Sequence, residues 1–299
     1  MTAASPDSPD SGYDGPGYDA YDGIRLAYDV RGEGLPLVCV PGGPLQSPGY
    51  LGGLGGLDRR RRLVLAHLRG TGRSAAPADP ASYRCDRLVD DVEALRGHLG
   101  LERMDLLGHS GGTNLAVLYA ARHPHRVRSL VLVTPSPFAV GLAPSDELRR
   151  EVARLRAGEP WFPQAYAALE ALQAGRVTPQ ALADLAPLRH GRWDGAARAV
   201  HAAEATERND EGAAVYGSAG AFDPPATRTA LAALTAPALL LAGEVDVNSP
   251  PPTVAEHAAL LPGARLVVQP GAGHFPWLDD AEAFTAAVAD FLAGVDAAA

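Results

Sequence analysis

Residues 104–122, MDLLGHSGGTNLAVLYAAR, constrain this chain more than any other stretch. Residues 104–107 form a short, nearly continuous apolar run of the kind buried on both faces of a parallel sheet. Residues 113–122 follow with helical patterning and good helix formers. Only Gly108-His109-Ser110-Gly111-Gly112 lies between them. A strand that turns into a helix so quickly needs positions without a Cβ, and the glycines supply them. The turn also aims the first backbone N–H groups of the helix at whatever sits beside Ser110, which favours negative charge there. G-x-S-x-G between a strand and a helix is the pattern of a nucleophile elbow. A glycine-rich turn with a capping serine, or a phosphate loop, has a similar outline. A dinucleotide loop, however, wants G-x-G-x-x-G, and a P-loop wants a lysine.

Lysine is absent, since all 26 basic residues among the 299 are arginine. P-loops, Schiff-base chemistry and Ser-Lys dyads are thereby excluded. A formal net charge of -9 argues against a nucleic-acid partner. No apolar run approaches the ~20 residues of a membrane span, and the first residues lack a secretory pattern. Two cysteines make no disulfide framework, so the cytoplasm is the expected compartment. With no metal-ligand spacing and no dinucleotide fingerprint, no metal or cofactor is expected.

Around the elbow, apolar runs at 37–40, 63–66, 130–133, 238–242 and 266–268 read as further buried strands. Leu88, Val92, Leu95 and Leu99 recur at helical spacing, as do Phe284, Val288, Phe291 and Leu292. This alternation predicts an α/β fold. It breaks over 137–229, where helices are expected near 146–157, 163–174, 179–185 and 195–208. The predicted organisation is a flexible tail over 1–20, a core from 21–136 and 230–299, and a helical insertion over 137–229. Arg59–Arg62 reads as a solvated turn before a strand.

A serine hydroxyl needs a base, and the base needs a group that orients it. Of nine histidines, His274 has the best setting: a Gly-rich loop, QPGAGHFPW, after the last strand, where open α/β sheets bind ligands. His98, His109, His123, His125, His190, His201 and His257 lie in helices or helix ends, and His109, although beside Ser110, reads as a packing residue that points away. In an elbow fold the acid lies between serine and histidine in the chain, after a strand. Asp246 fits, three residues past its strand, with Glu244 in reserve; an Asx-turn or helix cap is the structural alternative for Asp246. The oxyanion donors fall on Gly43, in the Pro41-Gly42-Gly43-Pro44 loop after residues 37–40, and on Gly111.

Together these segments resemble α/β-hydrolases, in the branch that includes proline iminopeptidases. The resemblance is carried by Val40-Pro41-Gly42-Gly43-Pro44, His67-Leu68-Arg69-Gly70-Thr71-Gly72-Arg73-Ser74, the elbow, Gly243–Asp246 and Gly273-His274-Phe275-Pro276. Two positions depart from the branch: Pro41 stands where His is common, and His67 where Asp is usual. The resemblance implies a mostly parallel sheet of about eight strands with helices on both faces and an inserted helical cap. It implies a cofactor-independent Ser-His-Asp hydrolase acting on a small molecule or short peptide, foremost an aminopeptidase for small N-terminal residues. It also implies acidic cap residues that bind the substrate amine. Of Glu204, Glu207, Asp210 and Glu211, Glu204 is selected because alanines flank it. Trp161, Phe162, Tyr166 and Trp193 are expected to shape a largely apolar pocket. A carboxylesterase, lactonase or thioesterase is the alternative, and a non-catalytic binding protein on the same fold is a third reading that has no need of an intact triad.

Overall fold

The computed structural model describes residues 15–298. Eight strands form one sheet: β1 (Gly17–Asp19), β2 (Arg25–Arg31), β3 (Pro36–Val40), β4 (Arg62–Ala66), β5 (Met104–His109), β6 (Val127–Val133), β7 (Ala238–Gly243) and β8 (Arg265–Gln269). Their order across the sheet is β1-β2-β4-β3-β5-β6-β7-β8. The β1–β2 and β2–β4 pairs are antiparallel, and all pairs from β4 to β8 are parallel. Parallel neighbours need long crossovers. Among them are α1 (Cys85–His98) after β4 and α2 (Gly112–Arg122) after β5.

Between β6 and β7 the chain runs through α3 (Asp146–Arg154), α4 (Phe162–Gln173), α5 (Pro179–Leu185), α6 (Gly195–Glu207), α7 (Asp210–Tyr216) and α8 (Pro224–Ala232). Helices α7 and α8 are not among those expected from periodicity. Asn209 and Asp223 cap them by accepting from the Gly212 and Ala226 N–H groups, so their start signals are side-chain caps rather than apolar stripes. After β7 come α9 (Pro251–Ala258), the short α10 (Pro276–Asp279) and α11 (Ala281–Ala297).

The strands alternate strictly between two cores, as a period of two requires. Val38, Leu106, Leu130 and Leu240 face α1 and α2 through Leu88, Val92 and Leu115. Leu37, Leu107, Val131 and Leu239 face Phe284, Val288 and Leu292 of α11. Burial on both faces explains why the central strands read as continuous apolar runs.

Three expectations need correction. Of the predicted tail, residues 1–14 lie outside the described residues, but Gly17–Asp19 pairs with β2 and buries Tyr18 against His98. The Tyr-Asp repetition there hides a strand. The run at 266–268 is not buried on both faces: β8 is the sheet edge, and Leu266 and Val268 are exposed. Within Arg59–Arg62, Arg61 is buried and ion-paired with Asp105 and Asp296 rather than solvated.

Candidate active site

The groups singled out for the reaction at the serine, as distinct from those for substrate binding, leave the carboxyl edge of the parallel strands. Gly43 follows β3, Ser110 follows β5, Asp246 follows β7 and His274 follows β8. Ser110 has φ +49°, the left-handed region that a non-glycine residue occupies only under constraint, at a cost of roughly 1–3 kcal/mol. The constraint is visible in the neighbours. A Cβ on Gly112 would stand 2.3 Å from the Pro41 carbonyl oxygen, and one on Gly108 2.9 Å from the Gly112 oxygen. The elbow is glycine-rich because two loops and a helix crowd one point, leaving the Ser110 side chain to project from the turn.

His274 accepts from Ser110 Oγ at Nε2 (2.7 Å) and donates from Nδ1 to Asp246 Oδ2 (2.7 Å). Asp246 is fully buried, and its other oxygen accepts the Asn248 N–H at 2.8 Å. The Asx-turn alternative for Asp246 therefore coexists with the histidine contact. Glu244 lies elsewhere: its carboxylate takes the Gly271 N–H at 2.7 Å, pinning the histidine loop. The His274 backbone is held from the helical insertion too, through its N–H to the Arg189 carbonyl at 2.7 Å. Asp279 joins the same two loops by accepting from the Gly191 and Gly273 N–H groups.

Gly43 and Gly111 lie beside Ser110, and a Cβ on Gly111 would come within 3.2 Å of Pro44. Of the two departures from the peptidase pattern, Pro41 lends its carbonyl to the crowding at Gly112. His67 is absorbed structurally: it contacts Asp29 through Nε2 and accepts the Arg73 N–H at Nδ1.

His109 does more than the packing expected of it. Its ring is buried under Ser110, with Nε2 2.9 Å from the His274 carbonyl oxygen and Nδ1 2.6 Å from Tyr50 Oη. A carbonyl only accepts, so Nε2 carries the proton and Nδ1 accepts from the tyrosine. Tyr50 Oη in turn accepts the Gly42 N–H at 2.7 Å. Burial, with a smaller contribution from the neighbouring His274, holds the His109 pKa well below the ordinary histidine value, so the ring stays neutral. One polar chain thus joins the Gly42-Gly43 loop, the elbow and the histidine loop. Nothing in the sequence around Tyr50 signals this role.

Two cavities meet at Ser110, Gly43, Asn248 and His274, of about 520 and 210 Å³. The larger is walled by Leu182 and Leu185 but also by Arg189, Glu204 and Arg208, so it is more polar than expected. Glu204 does face it. However, both its oxygens are taken by Arg189, at 2.7 and 2.9 Å. Trp161, Phe162 and Trp193 line neither cavity, against expectation. Trp161 and Phe162 pack with Tyr166 against Val152, Ala165 and Leu169, and Trp193 stands against His190 and Arg198. The insertion needs a small core of its own, and its aromatic residues are used there.

A mostly parallel eight-stranded sheet, with a serine on a strand-to-helix turn at its carboxyl edge, is the architecture of the α/β hydrolases. The family model described as alpha/beta hydrolase fold matches residues 36–281, and the chain belongs to that family. Its homologues are hydrolases. It is 27% identical to a proline iminopeptidase of Heyndrickxia coagulans over 89% of this chain and 93% of that one. It is 29% identical to a 2-hydroxymuconate semialdehyde hydrolase of Pseudomonas putida, covering 92% and 93% of the two chains. Among solved structures, a proline iminopeptidase of Mycobacterium smegmatis superposes with TM-score 0.72 at 26% identity, covering 95% of this chain and 99% of that one. A thermophilic esterase of Thermogutta terrifontis gives 0.66 at 26% identity, with 94% and 98% covered.

Proposed function

We propose that the chain is a cofactor-independent serine hydrolase that cleaves small carboxylic acid derivatives through an acyl-enzyme on Ser110. The observation that carries this reading is the unbroken Ser110–His274–Asp246 hydrogen-bonded chain at the carboxyl edge of the sheet. His274 takes the Ser110 proton as Oγ attacks the carbonyl and returns it to the leaving group. Asp246 keeps the imidazole in the tautomer this requires and stabilises the imidazolium. The Gly43 and Gly111 N–H groups receive the oxyanion, each worth about 3–4 kcal/mol in the transition state. Water activated by the same histidine then releases the acid. The helices between β6 and β7 act as a cap that walls the larger cavity and excludes bulk water.

Within this class, hydrolysis of carboxylic esters fits the charge pattern best. An aminopeptidase must offer a carboxylate to the substrate ammonium, and the two cap carboxylates that reach the cavity are each already ion-paired, Glu204 with Arg189 and Asp210 with Arg208. Aminopeptidase action on small N-terminal residues is the second reading, favoured by Glu204 lining the cavity over Ser110 and by the proline iminopeptidase relatives. A panel of short acyl 4-nitrophenyl esters and aminoacyl-arylamides separates the two. Ester turnover at least about a hundredfold faster than arylamide turnover supports the first reading; prolyl- or alanyl-arylamides as the faster substrates overturn it.

A further inference from the structure

The two cavities beside Ser110 differ in how their arginines are used. In the larger, Arg189 is paired with Glu204 at 2.7 Å and Arg208 with Asp210 at 3.4 Å. In the smaller, the one charged wall residue is Arg149 of α3, and no carboxylate of a described residue lies within ion-pair distance of it. The one hydrogen bond its side chain makes to a described residue runs from Nη1 to the Val247 carbonyl at a long 3.3 Å. A guanidinium has five donors in a planar fork shaped for a carboxylate, so most of this fork is unused. Asp246 exerts the strongest pull of any carboxylate on it, but its oxygens are committed to His274 and the Asn248 N–H. Arg149 is half-buried, and that burial draws its pKa below the usual arginine value. Elsewhere, the described arginines without an ion pair are mostly exposed to water.

The same wall holds neutral polar groups and apolar ones. Asn248 borders both cavities, while Pro137, Phe138 and Pro144 supply a dry rim. Gly43, Gly111 and Ser110 form its floor. A group that enters here is therefore held between an unpaired guanidinium and the reacting serine.

We propose that Arg149 makes the smaller cavity a carboxylate subsite, so that the preferred substrate is a short ester carrying a free carboxylate on the arm that enters it. The inference rests on the serine-hydrolase reading and specifies its substrate class. The carboxylate belongs either to the acyl arm, as in a dicarboxylic acid half-ester, or to the leaving-group arm. The bare structural role available to Arg149, tying α3 to the loop after Asp246 through Val247, uses one donor and leaves the fork open.

The test compares matched pairs of esters. On the acyl arm, mono-4-nitrophenyl glutarate is set against 4-nitrophenyl valerate; on the leaving-group arm, 4-carboxyphenyl acetate against 4-carbamoylphenyl acetate. In at least one pair, Arg149→Gln lowers the kcat/KM ratio of charged to neutral ester about tenfold or more, chiefly through KM, and Arg149→Lys restores part of it. The pair that responds identifies the arm. An unchanged ratio in both pairs, or equal losses on charged and neutral esters, overturns the proposal. Calorimetric titration of glutarate needs no turnover and separates the two readings. Glutarate binding to the wild type and to Ser110→Ala but not to Arg149→Gln supports the subsite even if no ester is hydrolysed, whereas glutarate that fails to bind the wild type counts against it.

Discussion

The buried imidazole of His109 donates from Nε2 to the main-chain oxygen of His274, 2.9 Å away, so the residue before the serine holds the loop of the histidine that accepts the serine's hydrogen bond. With Tyr50 and Gly42 the contact extends to the loop after β3. Three loops that must agree to within a fraction of an ångström are therefore set by one chain of neutral hydrogen bonds, and its outermost member is open to mutation.

Tyr50→Phe removes one hydroxyl and leaves the Gly42 N–H and His109 Nδ1 buried without partners. Each such loss costs about 1–3 kcal/mol. Thermal unfolding is expected to drop by several degrees. kcat for any ester turned over is expected to fall about tenfold with a smaller change in KM, because the loops that move carry the serine, the histidine and the proposed oxyanion donors. A kcat equal to wild type would show that the chain has no positioning role.

Glycines 112 and 97 form a contrasting pair. An alanine at 112 would drive its Cβ into the Pro41 and Val40 carbonyl oxygens, at 2.3 and 2.6 Å. Gly97 lies exposed in α1, with nothing within 4 Å of where a Cβ would stand. Gly112→Ala is expected to lose ~3 kcal/mol or to fail to fold, and Gly97→Ala to gain ~0.5–1 kcal/mol through helix propensity. Denaturant titration of both variants decides it.

His257 makes the acid limb of stability measurable. It is buried in α9 with no partner for either ring nitrogen among the described residues, and burial lowers its pKa to about 4. The unfolded chain binds a proton near the ordinary histidine value of ~6.5 while the folded one does not, so stability is complete above that pH and declines down to about 4. The loss is on the order of 3 kcal/mol. Against His257→Leu, wild type should therefore weaken as pH falls through this window; a constant difference between the two proteins would contradict the assignment.

Glu204→Gln frees Arg189 of its carboxylate. Under ester hydrolysis of a carboxylate-bearing substrate, the newly unpaired guanidinium in the larger cavity raises affinity for anions or leaves it unchanged. Under the aminopeptidase reading, KM for aminoacyl-arylamides rises about tenfold or more while neutral esters are spared. KM values for the two substrate types, measured side by side, distinguish these outcomes.

The elbow, the strands and the order of Ser110, Asp246 and His274 are legible in the sequence because each is written in a few contiguous residues. Buried parallel strands are apolar on both faces, and a strand-to-helix turn announces itself in glycines. β8 misleads for the same reason in reverse: an edge strand can carry Leu266 and Val268 outward, and local hydrophobicity does not say which strand ends the sheet. The cavity walls are illegible. Arg189 and Glu204 are fifteen residues apart and meet through the packing of the insertion, and Arg149 is conspicuous only through the partner it lacks. The aromatic residues of the insertion point toward substrate in the sequence because large apolar groups suit both a pocket and a core; only the contacts distinguish the two uses.

The central claim is that Ser110 is the nucleophile, activated by His274. The most direct measurement is labelling with a fluorophosphonate, followed by peptide mapping by mass spectrometry. One adduct per chain, on Ser110, lost in Ser110→Ala and slowed by about a thousandfold or more in His274→Ala, is the expected result. Labelling at another residue, or ester hydrolysis that survives Ser110→Ala in a folded protein, would contradict it.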